Sequence, residues 1–265
     1  WPMERRRNAL LAGARLLVET DEIGWTYAAG GGKATAARLA AAGFTAIALD
    51  HRGHGDSDWV NDANYSFAAF GRDVGAVADQ IAAETGRRPV AIGASMGGMI
   101  SQELAIDYPT RVRSLCSSMS NTGNKRQGRP ATSMYPELRR TMMQPRPTDR
   151  EGAIAAGLDA WRQISGPMFD EAEVRGMIEE AISRDPDPYG RIRQLIAINA
   201  SPDRTARLRE LRMPTLVIHG LLDRLVSPSG GMATAKAVPG SRLLMFPDMA
   251  HDLPRNRIGE IADAI

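Results

Sequence analysis

The chain has few residues that could cross-link it covalently or through a metal. Its 265 residues include a single cysteine, Cys116, so an internal disulfide is excluded. Only four histidines are present (His51, His54, His219 and His251), whereas metal cages commonly need several histidine or cysteine ligands. We therefore expect no metal site, and a lone unpaired thiol predicts a reducing, cytoplasmic environment.

The chain also has a small net charge and lacks long apolar runs. Lysine and arginine number 33 against 31 aspartates and glutamates, which gives a formal net charge of +2. Such a balance provides no general electrostatic attraction to nucleic acids or anionic membranes. No stretch approaches the roughly 18 apolar residues that a membrane-spanning helix needs. Hydrophobic residues still make up 43% of the chain, so we expect a globular protein that binds neither nucleic acid nor membrane.

Short apolar runs alternate with segments of helical periodicity. Strands are predicted at 45–50, 89–93, 112–116, 214–220 and 241–246. Helices are predicted at 70–85, 96–108 and 258–265. Strands that are apolar throughout and separated by helices indicate an α/β fold, with a mostly parallel central sheet and helices on both faces.

A long segment, 122–198, interrupts this alternation. It contains no convincing strand but has helical stretches at 154–164 and 171–182. Since a connection of this length is too long for a simple loop, we predict a helical cap over one end of the sheet. The core then comprises 1–121 and 199–265, with the cap inserted between them.

The most specific motif is G-x-S-x-G at residues 93–97, directly after a predicted strand and before a predicted helix. In this context the motif forms a sharp turn that presents Ser95 as a nucleophile. We expect glycine at 93 and 97 because a Cβ would collide with the crowded backbone there. The amide of Met96 would face the oxyanion formed when the serine attacks a carbonyl. The alternative is a tight glycine turn with an incidental serine.

A nucleophilic serine requires a base, and the base is oriented by a carboxylate. In hydrolases with this motif, the order along the chain is serine, acid, histidine. Asp223 and His251 follow the last two predicted strands, at the sheet edge where Ser95 is expected. We therefore predict a Ser95–Asp223–His251 triad. Asp248 and Asp252 are rival acids, which we expect instead to cap turns or face solvent.

These motifs together resemble the α/β-hydrolase superfamily. The matching parts are the Asp50–Ser57 segment, the Gly93–Gly98 turn, His219-Gly220 with Asp223, and the loop of His251. The resemblance implies a serine hydrolase that cleaves carboxylic esters through an acyl-enzyme and needs no cofactor. Epoxide hydrolases and haloalkane dehalogenases resemble the same pattern but use an aspartate nucleophile, so the serine favours a carbonyl substrate.

The second oxyanion donor is less well defined. The family supplies it from an early loop, often written His-Gly, but no histidine precedes His51. The family's spacing puts this loop around Trp25, whose backbone amide is one candidate, and makes Gly24 a substrate-binding candidate. Gly31 is the alternative donor, because the three glycines at 30–32 resemble such a loop in composition.

The cap sequence around Trp161 resembles that of aclacinomycin-type methylesterases. This resemblance implies a small-molecule ester substrate and makes Trp161 a second substrate-binding candidate. Arginines and methionines are interleaved across the cap and allow two interpretations. They could form an apolar pocket roof with a basic rim, or the apolar residues could bury the cap on the core while the arginines face solvent.

The remaining histidines are expected to be structural. His51 and His54 lie in the turn after the first predicted strand, and His219 is expected to be packed and hydrogen-bonded at a strand end. Cys116 is interpreted as a small apolar filler.

Two further functions remain open at this point. The same triad could cleave a carbon–carbon bond in a dienoate-like ketone, or act as a cofactor-free perhydrolase or haloperoxidase. The other alternative is a non-catalytic binder with a hydrolase fold, because the early loop departs from the family pattern. No motif reports the acyl and alcohol groups of the substrate, or the oligomeric state.

Overall fold

The computed structural model describes residues 16–17, 41, 46–53, 57, 65–128, 135–184 and 190–265. The strands are β1 (Leu16–Leu17), β2 (Ala48–Leu49), β3 (Val90–Ala94), β4 (Ser114–Ser118), β5 (Thr215–Gly220) and β6 (Arg242–Phe246). The helices are α1 (Phe67–Thr85), α2 (Met96–Asp107), α3 (Pro136–Met143), α4 (Arg150–Ile164), α5 (Glu171–Arg184), α6 (Gly190–Ala200), α7 (Thr205–Leu208), α8 (Pro228–Ala237) and α9 (Arg255–Ala264).

Strands β3 to β6 form a parallel sheet in the order β3-β4-β5-β6. Parallel neighbours require crossover connections, which are supplied by α2 after β3 and by α8 after β5. The short strands β1 and β2 pair with each other in antiparallel fashion. Because the four long strands run in one direction, their carboxyl ends meet at one edge of the sheet.

Helices cover both faces of this sheet. Successive strand residues point to opposite faces, and in β4 Leu115 packs with Leu104 of α2 and Ala78 of α1. The next residue, Cys116, packs with Ile261 of α9. The thiol is buried, and burial raises its pKa to about 12. Cys116 is therefore a neutral core residue, as expected.

Helices α3 to α6 lie between β4 and β5, in the region where the cap is predicted. Helices α4 and α5 pack against each other through four buried residues: Ile154, Leu158, Val174 and Ile178. At the amino end of α4, Asp149 caps the helix by accepting the Gly152 amide at 2.7 Å. The division of the chain into core and cap, with its boundaries, stays a prediction.

A fully buried arginine joins the end of this helical segment to α2. The Arg204 guanidinium donates to Gln102 of α2 at 3.1 Å and to the Asn121 carbonyl at 3.0 Å. It also donates to the Ser201 hydroxyl. Burial lowers the pKa of Arg204 to about 10, which leaves it charged at neutral pH. The network fixes α2, the helix that begins directly after Ser95.

No helix in the described part of the chain combines the length and the apolar content that crossing a membrane demands.

Candidate active site

Ser95 occupies a strained turn between β3 and α2. Its φ of 54° and ψ of −121° are unusual for a residue with a side chain. The turn is held by hydrogen bonds from the Ser95 amide to the Ser118 carbonyl at 2.8 Å and from the Met99 amide to the Ser95 carbonyl at 3.2 Å. The side chain is half-buried and projects at the carboxyl edge of the sheet. A strained residue maintained by its surroundings in this way is typical of a functional site.

Two glycines permit the turn, but not the expected pair. A Cβ on Gly93 would lie 2.1 Å from the Gly97 carbonyl oxygen, and one on Gly98 would lie 2.8 Å from the Ser120 Cβ. A Cβ on Gly97 would meet no described atom within 4 Å apart from its chain neighbours and the backbone of its own helix. Among the described residues nothing supports the steric explanation for glycine at 97, while that for Gly93 is confirmed.

The structure brings Ser95, Asp223 and His251 into one hydrogen-bonded chain. The His251 Nε2 atom lies 2.9 Å from the Ser95 Oγ atom. The His251 Nδ1 atom lies 2.8 Å from Asp223 Oδ2. An ionised carboxylate only accepts hydrogen bonds, so Nδ1 donates to it and Nε2 is left to accept from the serine hydroxyl. This is the arrangement that activates a serine.

Asp223 is buried and saturated with hydrogen-bond donors. Its Oδ1 accepts the backbone amides of Leu225 at 2.9 Å and Val226 at 2.8 Å. Its Oδ2 faces both the His251 ring and the His219 Nε2 atom, the latter at 3.3 Å. Burial raises the pKa of Asp223, but the interactions with His251 and His219 outweigh it and lower the pKa to about 2. The carboxylate is thus ionised at neutral pH.

This lowered pKa makes an expected contribution to stability. A carboxyl whose pKa is lower in the folded than in the unfolded chain stabilises the fold above its unfolded pKa, and loses that contribution as pH falls through its folded pKa. We expect on the order of 2 kcal/mol of unfolding free energy from Asp223, lost mostly between about pH 4 and about pH 2. Urea unfolding across this range should show that the unfolding free energy falls more steeply with decreasing pH in the wild type than in Asp223→Asn. Parallel pH curves for the two proteins would contradict the assignment.

The two rival acids have other partners. Asp248 accepts from the Arg257 guanidinium of α9 at 3.0 Å, and this hydrogen bond lowers its pKa. Asp252 accepts the Ala250 amide at 3.0 Å with one oxygen and the Gly166 amide at 3.0 Å with the other. The turn-capping role of Asp252 is confirmed. Of the two expected roles Asp252 thus has the first; it is buried, and burial raises its pKa.

Asp252 belongs to a connection between the histidine loop and the helical segment. Gly166, whose amide donates to Asp252, lies just after the end of α4. The His251 amide donates to the Ile164 carbonyl at 2.9 Å. Both hydrogen bonds join positions adjacent to the imidazole to the α4–α5 turn. Sequence reasoning missed this connection, because the two loops are far apart along the chain and neither carries a motif for the other.

The predicted oxyanion donors are only partly within the described residues. Met96 is the first residue of α2, so its amide has no acceptor inside the helix and is available to an oxyanion. Trp25, Gly24 and the alternative donor Gly31 lie outside the described residues. The second donor therefore stays a prediction.

The structure tests some of the predictions made for the cap residues and leaves others untested. The Trp161 side chain is half-buried and packs on the α4–α5 cluster, and its contact with substrate stays a prediction. Arg139, Arg140 and Arg150 are exposed, which favours the interpretation that these arginines face solvent. Met143 is also exposed.

The Asp50–Ser57 turn has structural contacts where it is described. Arg52 donates through two nitrogens to Asp73 of α1, each at 2.6 Å. Asp50 pairs with Arg184 of α5, and the His51 ring lies 5.5 Å from that of Phe70. His54 lies outside the described residues.

His219 is packed and hydrogen-bonded, as expected. Its Nε2 atom lies 2.9 Å from the Val226 carbonyl oxygen. Its proximity to Asp223 was not anticipated, although a histidine four residues before the predicted acid was a visible signal. Among the described residues, no group of three or more His, Cys, Asp or Glu side chains is arranged to hold a metal ion.

Comparisons with known proteins find relatives that span most of this chain. The family model for serine aminopeptidase, S33, matches residues 24–257. Rhodomycin D methylesterase from Streptomyces sp. (strain C5) is 28% identical over 247 residues, covering 82% of this chain and 78% of that protein. A pimeloyl-[acyl-carrier protein] methyl ester esterase from Neisseria meningitidis is 26% identical, covering 77% and 74%. The esterase structure from Exiguobacterium antarcticum superposes with a TM-score of 0.71 at 16% identity, covering 95% of this chain and 92% of that one.

Proposed function

Since this chain belongs to the S33 serine aminopeptidase family and is an α/β-hydrolase of the esterase type, we propose that it hydrolyses carboxylic esters through an acyl-enzyme on Ser95. The observation that carries this proposal is the continuous hydrogen-bonded chain from the Ser95 hydroxyl through His251 to Asp223. Asp223 orients the imidazole and stabilises its charged form, and His251 is the general base.

In the acylation step, the Ser95 Oγ atom attacks the ester carbonyl carbon while its proton passes to the His251 Nε2 atom. The carbonyl oxygen becomes an oxyanion, to which the Met96 amide donates. The protonated Nε2 then gives its proton to the alkoxy oxygen of the substrate, the carbon–oxygen bond breaks and the alcohol leaves. The product of this half-reaction is an ester between the acyl group and Ser95.

Deacylation repeats these steps with water as the nucleophile. His251 removes a proton from water, the hydroxide attacks the acyl carbon, and the Ser95 oxygen leaves with the proton that Nε2 returns. The carboxylic acid is released and the serine regenerated. Every proton in the cycle passes through one imidazole nitrogen, so the chain's own residues suffice and no cofactor is needed.

Methyl esters are the substrate class that we infer. The rhodomycin D and pimeloyl relatives are both, by their names, methyl ester hydrolases. We also propose that residues 122–198 act as a cap over the acyl side of the site, with Trp161 among the substrate contacts. The hydrogen bonds between the α4–α5 turn and the histidine loop support this placement.

A panel of 4-nitrophenyl esters from acetate to decanoate tests the reaction class. We expect kcat/KM to be highest for the short acyl chains, because a small acyl group makes the fewest steric demands on the pocket. A dienoate-like ketone, measured in parallel, should not be cleaved. Turnover of the ketone without turnover of any ester would instead favour the carbon–carbon bond hydrolase.

A further inference from the structure

His219 is a fully buried histidine that the proposed mechanism does not use. It is the penultimate residue of β5 and lies four residues before Asp223. Its Nε2 atom lies 2.9 Å from the Val226 carbonyl oxygen and 3.3 Å from Asp223 Oδ2. A second imidazole thus contacts the oxygen that already receives the His251 ring.

The contacts define which nitrogen of His219 carries the hydrogen. A carbonyl oxygen and an ionised carboxylate both accept only, so Nε2 is the protonated nitrogen and donates toward both. The Nδ1 atom is buried without a hydrogen-bond partner in the described part of the chain. It lies against Gly231, where a Cβ would approach it to 2.5 Å. A hydrogen on Nδ1 would have no acceptor there, which favours the neutral ring with its hydrogen on Nε2.

We propose that His219 is a positioning residue for the reaction, which fixes the Asp223 carboxylate in the orientation that receives His251. This proposal rests on the proposed function of the triad. Asp223 Oδ1 is held by the amides of Leu225 and Val226, and His219 supplies the second donor on Oδ2. With both oxygens held, the carboxylate is not free to rotate away from the His251 Nδ1 atom.

The same donor limits the negative charge available to His251. A carboxylate that shares its charge with a second donor attracts the imidazolium less strongly than a carboxylate with one donor. Asp252 is the other carboxyl beside this site: burial raises its pKa, the charge of His251 lowers it and the charge of Asp223 raises it. Removing the His219 donor should therefore let the Asp223 carboxylate rotate and should shift the acid limb of kcat/KM against pH. Replacing a residue that only fills space would not produce both changes together.

The test compares two substitutions at position 219. Glutamine can place an amide N–H close to the position of Nε2, whereas methionine has a similar length and no donor. For His219→Met we expect kcat to fall about 10- to 100-fold, the size of loss that follows when a residue orienting a metal-ligating side chain is removed, with KM changed by less than about twofold. The midpoint of the acid limb of kcat/KM should move to higher pH. His219→Gln should recover most of the lost kcat.

Ile218→Val is the matched control. Ile218 is the neighbouring buried residue of β5 and packs on the opposite face, in the cluster with Ile261. Its kcat and pH profile should equal those of the wild type. An unchanged kcat and acid limb in His219→Met, or equal impairment of His219→Gln and His219→Met, would overturn the proposal.

A second measurement separates this proposal from the function on which it rests. The loss of unfolding free energy between about pH 4 and about pH 2 depends on the donors to Asp223 and not on catalysis. It should be smaller in His219→Met than in the wild type and in Ile218→Val. If the wild type and Ser95→Ala proved equally active, the esterase mechanism would fail while this measurement still reported the contact. An equal pH dependence in all three proteins would overturn the proposal about His219.

Discussion

Replacing Ser95 with alanine is expected to lower kcat for a carboxylic ester by at least about 1000-fold. The alanine variant has no oxygen to form the acyl-enzyme, and His251 then has only water to activate. The remaining rate would come from binding and from the oxyanion donors, which survive the substitution. Steady-state hydrolysis of 4-nitrophenyl acetate, with the variant assayed at high concentration, measures the difference.

Ser118→Ala is the matched control for this experiment. Ser118 is buried beside the turn, and its hydroxyl has no hydrogen-bond partner within the described residues. The contact that it makes to Ser95 is through its backbone carbonyl, which alanine keeps. We expect the control to retain activity within about threefold of the wild type. Comparable rates in wild type and Ser95→Ala would refute the mechanism.

Replacing Gly93 with alanine is expected to destabilise the fold by about 3 kcal/mol or more. The added Cβ would meet the Gly97 carbonyl oxygen at 2.1 Å and its carbon at 2.2 Å. Both are backbone atoms of the first turn of α2 and cannot rotate away as a side chain would. The turn must open to admit the methyl group, so we also expect esterase activity to be lost.

Gly97→Ala makes the same chemical change four residues further along. Apart from its chain neighbours and the backbone of its own helix, no described atom lies within 4 Å of the new Cβ, and alanine favours a helix over glycine by up to about 1 kcal/mol. Urea unfolding should therefore give this variant a stability equal to or above that of the wild type. If the two alanine variants had equal stability, the steric account of the turn would be wrong.

The elements of the sheet could be predicted from the sequence because burial on both faces leaves a continuous apolar run. Strand β5 is predicted at 214–220 and found at Thr215–Gly220, and β6 and α2 agree equally closely. The strand predicted at 45–50 is limited to Ala48–Leu49. Its pairing partner is a distant segment of the chain, which the local pattern does not identify.

The residues of the triad could be brought together by reasoning about strand ends, since a parallel sheet gathers them at one edge. The residues that orient the triad could not be predicted in this way. The hydrogen bond between Gly166 and Asp252 joins positions 86 residues apart, and only the packing of the helical segment brings them together. The burial of Asp252 could not be predicted for the same reason, because the segment that buries it is remote along the chain.

The unsupported expectation at Gly97 has a different origin. The motif requires two glycines, and the local pattern alone cannot show which of them faces backbone and which has no crowding neighbour among the described residues. Gly93 faces the backbone of the first turn of α2, whereas the second glycine that a neighbouring side chain crowds is Gly98, beside Ser120.

Labelling with a fluorophosphonate probe tests most directly whether these three side chains form a working nucleophile. The probe reacts with a serine only when a neighbouring base activates it, so it reports the triad without any assumption about the substrate. We expect one adduct per chain, located on Ser95 by peptide mass spectrometry, and none in folded His251→Ala. A folded wild-type protein that remains unlabelled, or that is labelled at another serine, would contradict the account and favour a non-catalytic binder.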